Sequence, residues 1–296
     1  MERGSNDSVA DVDDRTGGSA ERVERPGAIV VGASSGIGEA LVRELASEGY
    51  EVGLTARRTE RMREIGAELP TKAYVATMDV TDAEDAREGF YQLVDAMDSV
   101  DLVVISAGVG IENRDLEWAP ERTTVDVNVR GFVAIATAAI HYFEERSNYR
   151  YKCNSGAADE HETHRGRETE HEAERTLTGN RDGHLVGISS VGSSFGNGAA
   201  PSYNASKAFV SRYLEGLRYR QAGRESDVTI TTVEPGFVDT EMAGGEFWMC
   251  SPETAATQIV RAIRRNRRHV YVTRRWRLVD WILRAAPERL LGRLFT

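Results

Sequence analysis

Seven residues, Gly32-Ala33-Ser34-Ser35-Gly36-Ile37-Gly38, constrain this chain more than any other stretch of it. They follow a short apolar run, Ala28–Val31, and lead directly into an amphipathic stretch, Gly38–Glu48. Strand, glycine turn and helix in that order make a bend where the backbone can approach a ligand closely, with free N–H groups at the helix start. The spacing is G-x-x-x-G-x-G rather than G-x-G-x-x-G, but the physics is shared, and a pyrophosphate is the natural occupant. The turn predicts a dinucleotide site at the end of the first strand.

The rest of the chain repeats that alternation. Strands are expected at Glu51–Ala56, Ala73–Met78, Asp101–Ile105, His184–Ser189 and Val228–Val233. Helical patterns start near Thr59, Asp82, Pro120 (to Glu145), Tyr203 and Ser251-Pro252-Glu253, the last with a good cap and a proline suited to the first turn. This is the pattern of βαβ units, so the fold class is α/β: a Rossmann-like, doubly wound parallel sheet in a single domain. A length of 296 residues with 40% hydrophobic and 28% charged side chains suits one such body. The division expected is a disordered acidic leader over 1–25, the nucleotide-binding domain over 26–260 and a basic amphipathic segment over 261–296. Within the domain, residues 147–182 form a polar insert, too long for an ordinary loop and read as disordered.

Charge is uneven. The net charge is -10, yet Arg261 to the end holds eleven arginines against Asp280 and Glu288, and the whole chain has only three lysines, Lys72, Lys152 and Lys207. Wholesale nucleic-acid binding is disfavoured by that balance. The longest low-polarity run, Gly131–Ile140, is shorter than the roughly 20 residues of a bilayer span. The acidic N-terminus does not read as a secretory signal. Cys153 and Cys250 suggest no disulfide framework, so a reducing cytoplasm is expected. His161, His164, His171 and His184 cluster in or beside the insert, but lack a convincing ligand set, and no metal is expected. The segment 274–296, with Trp281, Ile282, Leu283, Leu290, Leu291, Leu294 and Phe295 at helix-like spacing, has three readings. It caps the domain or a second subunit; it lies on an anionic membrane; or, least favoured, it holds nucleic acid.

Two further groups carry chemistry. At the end of the second strand stand Arg57 and Arg58, where an acidic residue would hold the ribose hydroxyls of NAD. Arginine matches a 2′-phosphate, so NADP(H) is favoured over NAD(H), with a pair of solvated arginines as the plain alternative. In Tyr203-Asn204-Ala205-Ser206-Lys207 a phenol and an ammonium share one helix face. A cation there favours the phenolate and would make tyrosine usable as an acid/base.

With these motifs in hand, the chain resembles the short-chain dehydrogenase/reductase family from about Pro26 to Thr240, interrupted only by the insert. The resemblance also rests on Asn128 in Val127-Asn128-Val129-Arg130-Gly131, on Ser189-Ser190, on Pro235-Gly236 and on Asp79. It implies an oxidoreductase moving hydride between nicotinamide and a small carbonyl or secondary alcohol. The alternatives are an NAD(H)-linked alcohol dehydrogenase and a non-catalytic dinucleotide-binding regulatory or membrane-surface protein, against which the full set Ser190, Tyr203, Lys207 and Asn128 argues. Tyr203 would be the acid/base, Ser190 rather than Ser189 would hold the substrate oxygen, and Lys207 would hold the nicotinamide ribose and lower the tyrosine pKa. Asn128 would position a water behind the lysine. The cofactor would lie against Gly32, Ser34, Ser35, Gly36, Ile37, Gly38, Arg57 and Arg58. Asp79 and Val80 would stand at the adenine, Ser106, Ala107 and Gly108 beside the fourth strand, and Pro235, Gly236, Val238 and Thr240 at the nicotinamide. Val31 and Ser106 replace the family's usual threonine and asparagine. A homodimer or homotetramer is implied. The loop Val238–Cys250, with Phe247, Trp248 and Met249, has two readings of equal standing: a mobile cover over an apolar substrate, or ordinary packing onto the next helix.

Overall fold

The computed structural model describes residues 10–11, 25–154, 182–224, 226–240, 248–287, 289 and 291. Its strands are β1 (Ala10–Asp11), β2 (Gly27–Val31), β3 (Glu51–Ala56), β4 (Ala73–Thr77), β5 (Leu102–Ile105), β6 (Gly183–Ile188), β7 (Val228–Pro235) and β8 (His269–Val272). They form one sheet in the order β1-β4-β3-β2-β5-β6-β7-β8. β2 to β8 are all parallel; the two-residue β1 pairs antiparallel with β4. The chain runs outward from β2 in both directions. The switch between β2 and β5 is the crevice where ligands bind in open sheets of this kind.

The helices are α1 (Gly36–Ser47), α2 (Thr59–Ala67), α3 (Ala83–Ala96), α4 (Trp118–Val125), α5 (Phe132–Asn154), α6 (Pro201–Ala222), α7 (Pro252–Arg264) and α8 (Trp276–Ala285). Both faces of the sheet are covered, which is why its strands are continuous apolar runs. Side chains alternate between two cores. Ala28, Val30, Leu102 and Val104 point to a layer with Leu41, Leu45, Met62, Ile65, Ile259 and Ile263 from α1, α2 and α7. Ile29, Val31, Val103 and Ile105 point to the other, with Phe90, Leu93, Ile135, Phe143 and Leu214 from α3, α5 and α6.

Several expectations are corrected. The helix expected over Pro120–Glu145 is α4, a π-helical turn over Asp126–Gly131 and then α5, which continues to Asn154. The first residues assigned to the insert are therefore helical; 155–181, with His161, His164 and His171, lie outside the described residues. His184 belongs to β6, is buried and hydrogen-bonds Thr231 Oγ1 at 2.8 Å. Of the leader, Ala10–Asp11 is a strand, and the rest lies outside the described residues up to Arg25. The boundary placed at 260/261 falls inside α7, and β8 extends the sheet, so the start of the basic segment is built into the domain.

Trp118–Asn148 is a helical run of 31 residues in which an 18-residue stretch reaches a mean hydropathy of 1.2, long and apolar enough by length and composition to cross a bilayer. The short run Gly131–Ile140 understated it. Its apolar stretch is 61% buried in the domain, which accounts for the composition without a membrane.

Candidate active site

The glycine turn sits at the carboxyl end of β2. Gly32 has φ +88° and Gly36 φ +56°, both in the region that favours glycine. A Cβ on Gly32 would stand 2.6 Å from Ala107 N, and one on Gly38 2.0 Å from Gly32 O. Gly32 and Ala33 donate N–H bonds to Thr55 O at 2.8 and 3.1 Å, while Ser106 and Ala107 both donate to Val31 O at 2.8 Å. The turn is thus wedged between the ends of β3 and β5. Ser35 caps α1 without a side-chain hydrogen bond, so the first N–H groups, from Gly36, Ile37 and Gly38, have no helical acceptor and suit an anion.

Arg58 reaches over this turn, donating from Nε to Ser34 Oγ at 3.2 Å and from Nη2 to Ser35 Oγ at 2.7 Å. Arg57 is exposed beside it. Asp79 Oδ1 accepts from Thr81 N at 3.0 Å and Thr81 Oγ1 at 2.9 Å. A Cβ on Gly131 would meet Val80 O at 2.4 Å, so that glycine lets the π-helical turn pack beside Asp79 and Val80.

Asn128 projects from the π-helical turn. Its Oδ1 accepts from Val109 N and its Nδ2 donates to Val109 O, both at 2.8 Å, and Nδ2 also donates to Ser206 Oγ at 2.9 Å. It ties the loop after β5 to α6. Lys207 is buried and donates from Nζ to Ile188 O at 3.1 Å. A Cβ on Gly108 would stand 3.1 Å from Lys207 Nζ and 3.3 Å from Asn128 Oδ1, so only glycine leaves these groups in place. Lys207 Nζ is 5.8 Å from the Tyr203 ring centroid. Ser190 Oγ accepts from Gly192 N at 3.1 Å and is hydrogen-bonded to the Tyr203 side chain. Ser189 is different: its Oγ donates to Lys207 O and pairs with Ser211 Oγ, both at 2.8 Å. It braces α6.

The electrostatics depart from expectation. Burial pushes the Tyr203 phenol up from its ordinary value, and the Ser190 hydrogen bond only partly opposes this. Burial likewise pushes the Lys207 ammonium down to about 8, with the Ile188 carbonyl as its hydrogen-bond acceptor.

At the far wall, Pro235 ends β7 and Gly236 N donates to Val272 O at 2.6 Å. The indole of Trp276 packs so closely on Gly236 that a Cβ would fall 1.9 Å from its Nε1. Val238 is buried and bridges to Cys250, and Thr240 Cγ2 lies 3.0 Å from the Cβ position of Gly36. Of the expected covering loop, 241–247, with Phe247, lie outside the described residues. Phe237, just before that loop, and Trp248, within it, are both in edge-to-face contact with Trp276.

Two buried carboxylates near the site were not anticipated. Glu234 Oε1 accepts from Ser193 at 3.0 Å and Ser211 at 2.8 Å, and Oε2 lies 3.1 Å from His269 Nε2. Burial pushes its carboxyl up, but His269 and the two serines outweigh this and hold it below the ordinary value. Asp280 accepts from Ser194 Oγ and from Tyr271 OH, the latter at 2.9 Å. Ser193 and Ser194 belong to the 3-10 turn Val191–Ser194, which follows Ser190 directly. The signals were an acid inside an apolar strand and a lone acid on an arginine-rich helix.

The short chain dehydrogenase family model matches residues 27–150 and 169–248. The chain belongs to that family. As such it is an NAD(P)-dependent oxidoreductase, and the Rossmann-like sheet is the family's fold. An uncharacterized oxidoreductase of Mycobacterium tuberculosis is 30% identical over 256 residues, covering 82% of this chain and 87% of that one. An NADP-dependent 3-hydroxy acid dehydrogenase of Shigella flexneri is 26% identical over 223 residues, covering 74% and 75%. A short-chain dehydrogenase/reductase from Burkholderia phymatum, solved with NAD, superposes with a TM-score of 0.65 at 17% identity, covering 87% and 92%, and speaks to the fold.

Proposed function

We propose that this short-chain dehydrogenase is NADP(H)-dependent and interconverts a small, predominantly apolar carbonyl compound and its secondary alcohol. The observation that carries this reading is the meeting of Tyr203, Ser190 and Lys207 beside Gly108, at the carboxyl end of the sheet and next to the glycine turn. The turn fits the cofactor, since its glycines leave no side chain over the α1 N-terminus and Arg58 stands over Ser34 and Ser35 where a 2′-phosphate would add charge. The S. flexneri relative, named for NADP, supports the same choice.

In this reading the bound nicotinamide supplies or accepts the hydride. Ser190 Oγ orients the substrate oxygen. Tyr203 gives its phenolic proton to that oxygen in reduction, or takes it in oxidation. Burial holds the phenol in its protonated form, the form that donates in reduction, and the same group takes the proton back in oxidation. Lys207 binds the ribose and, once drawn toward it, brings positive charge nearer the phenol. Asn128 keeps the Val109 loop in register and lies beside Lys207, where a water would connect the ammonium to solvent.

Purified protein, NADPH and a panel of carbonyl compounds test this, with Tyr203→Phe alongside. Substrate-dependent NADPH oxidation is expected, and its loss in Tyr203→Phe; turnover surviving in the variant would remove the mechanism. For the cofactor, Arg58→Glu should raise KM for NADPH by roughly tenfold to a hundredfold while sparing NADH, with Arg57→Asp weaker. Equal effects on both cofactors would mean that the arginines do not read the 2′-phosphate.

A dimer or tetramer is part of the proposal, supported by Val125 of α4 and Phe209 of α6, which are exposed on adjacent helices. Light scattering after size exclusion would show it. The thiol of Cys250 is unpaired, in keeping with a cytoplasmic setting.

A further inference from the structure

Five large apolar side chains gather at one end of the molecule and face solvent. Leu278 is 63% exposed, Trp281 69% and Ile282 52%, along the outer side of α8; Phe237 and Trp248, both 45%, flank the start of that helix. On α8 the spacing of 278, 281 and 282 makes one stripe, and Arg274 and Arg277 lie a turn behind on the same side. The inner side is committed elsewhere: Trp276 packs on Gly236, and Asp280 is held by Ser194 and Tyr271. Arg275 lies over the Trp248 ring at 5.3 Å and donates to Trp248 O at 2.7 Å, so a cation and an indole are presented together.

Beside this stripe is a cavity of about 840 Å³ between α7, β8 and the first turn of α8. Arg261, Arg265, Arg267, Arg274 and Arg277 line it, with no acidic residue among the described residues of its wall. Its charge and the apolar stripe are continuous through Arg274 and Arg277. A face that is apolar, aromatic and strongly cationic fits one partner chemistry best. A second copy would meet it across a two-fold axis with the same face, setting one arginine cluster against another. An anionic lipid surface offers phosphates to the arginines and acyl chains to Leu278, Trp281 and Ile282, and tryptophan sits well at that boundary.

We propose that α8 is an interfacial helix that seats this enzyme on an anionic bilayer, with lipid phosphates entering the arginine cavity. Phe237 and Trp248 lie beside the Pro235-Gly236 wall, so the seated face is next to the mouth of the candidate active site. The docking does not depend on the oxidoreductase chemistry and can fail or hold independently of it.

Co-sedimentation of the full chain with vesicles of phosphatidylcholine alone, or mixed with phosphatidylglycerol, tests it. The protein should pellet with the anionic vesicles, remain soluble with the neutral ones, and be released by salt. Leu278→Ser with Trp281→Ser, and separately Arg274→Ser with Arg277→Ser, should each weaken partitioning by about tenfold or more. All four side chains are exposed, so the thermal midpoint and NADPH affinity should not change, which separates lost docking from lost fold. Equal pelleting with both vesicles, pelleting with neither, or variants that partition like the parent would overturn the proposal. A thermal shift with inorganic tripolyphosphate but no vesicle binding would do so too, assigning the cavity to a soluble polyanion.

Discussion

A buried lysine is destabilising while it is charged, and Lys207 is enclosed with the Ile188 carbonyl as its hydrogen-bond acceptor. Its pKa falls from 10.5 to about 8. Below pH 8 the folded and unfolded states both hold the proton, and the cost of burying the charge is fully present. Between 8 and 10.5 the folded state has released a proton that the unfolded state keeps, so stability rises with pH through that window. Urea titrations of the cofactor-free protein and of Lys207→Met should therefore show the variant more stable at neutral pH, with the gap closing towards pH 10.5. A gap independent of pH would mean that burial does not act through the charge. At neutral pH the ammonium is charged in the folded protein, and a group buried at such cost is of the kind found at functional sites. The same scale distinguishes the two serines: counting back from Tyr203 favoured Ser190, and the hydrogen bonds of Ser189 to Lys207 O and Ser211 account for that neighbour as a brace.

At the scale of elements, short irregular pieces do the aiming. The π-helical turn between α4 and α5 sets Asn128 against both Val109, after β5, and Ser206, on α6. The 3-10 turn after Ser190 is clamped from two directions, by Glu234 on β7 and Asp280 on α8. Asp280→Ala removes one clamp, and with it the carboxylate that accepts from Ser194 Oγ and Tyr271 OH. A loss of about 2 kcal/mol in unfolding free energy is expected. Because the turn carries Ser190, kcat should fall while NADPH affinity holds; an unchanged kcat would separate α8 from the catalytic turn. These pieces were not legible in advance. A continuous helix and a plain loop satisfy the same local preferences, and the contacts that favour the π and 3-10 turns come from residues 19 to 86 positions away.

Over the whole molecule, one arginine closes the amino-terminal edge of the sheet. Arg146, near the middle of α5, donates to Val100 O at 2.7 Å and to Asp182 O at 2.8 Å, and pairs with Asp101 at 3.1 Å. Asp101 in turn accepts from Gly27 N and Ser99 Oγ, both at 3.1 Å. Both partners of the ion pair are largely buried, so Arg146→Ala should cost about 3 kcal/mol, measured by chemical denaturation, through the uncompensated carboxylate. A cost below 1 kcal/mol would show that water replaces the guanidinium readily. Ser147 Oγ also donates to Asp182 Oδ2 at 2.6 Å, so the chain is gripped on both sides of the insert. These contacts bring the two ends of that stretch together.

The strand-turn-helix start, the βαβ alternation, the two arginines after β3 and the tyrosine-lysine pair were all legible in the sequence, because each is local: backbone freedom, periodicity of two or 3.6 and neighbours on one helix face depend on adjacent residues alone. The sign of the Tyr203 shift, the choice of Arg58 to cover Ser34 and Ser35, the place of Asp280 beneath the catalytic turn and the conversion of a basic segment into a sheet edge and a capping helix were decided only in three dimensions. Burial and long-range hydrogen bonding depend on which residues meet across the sheet, and no spacing along the chain records that.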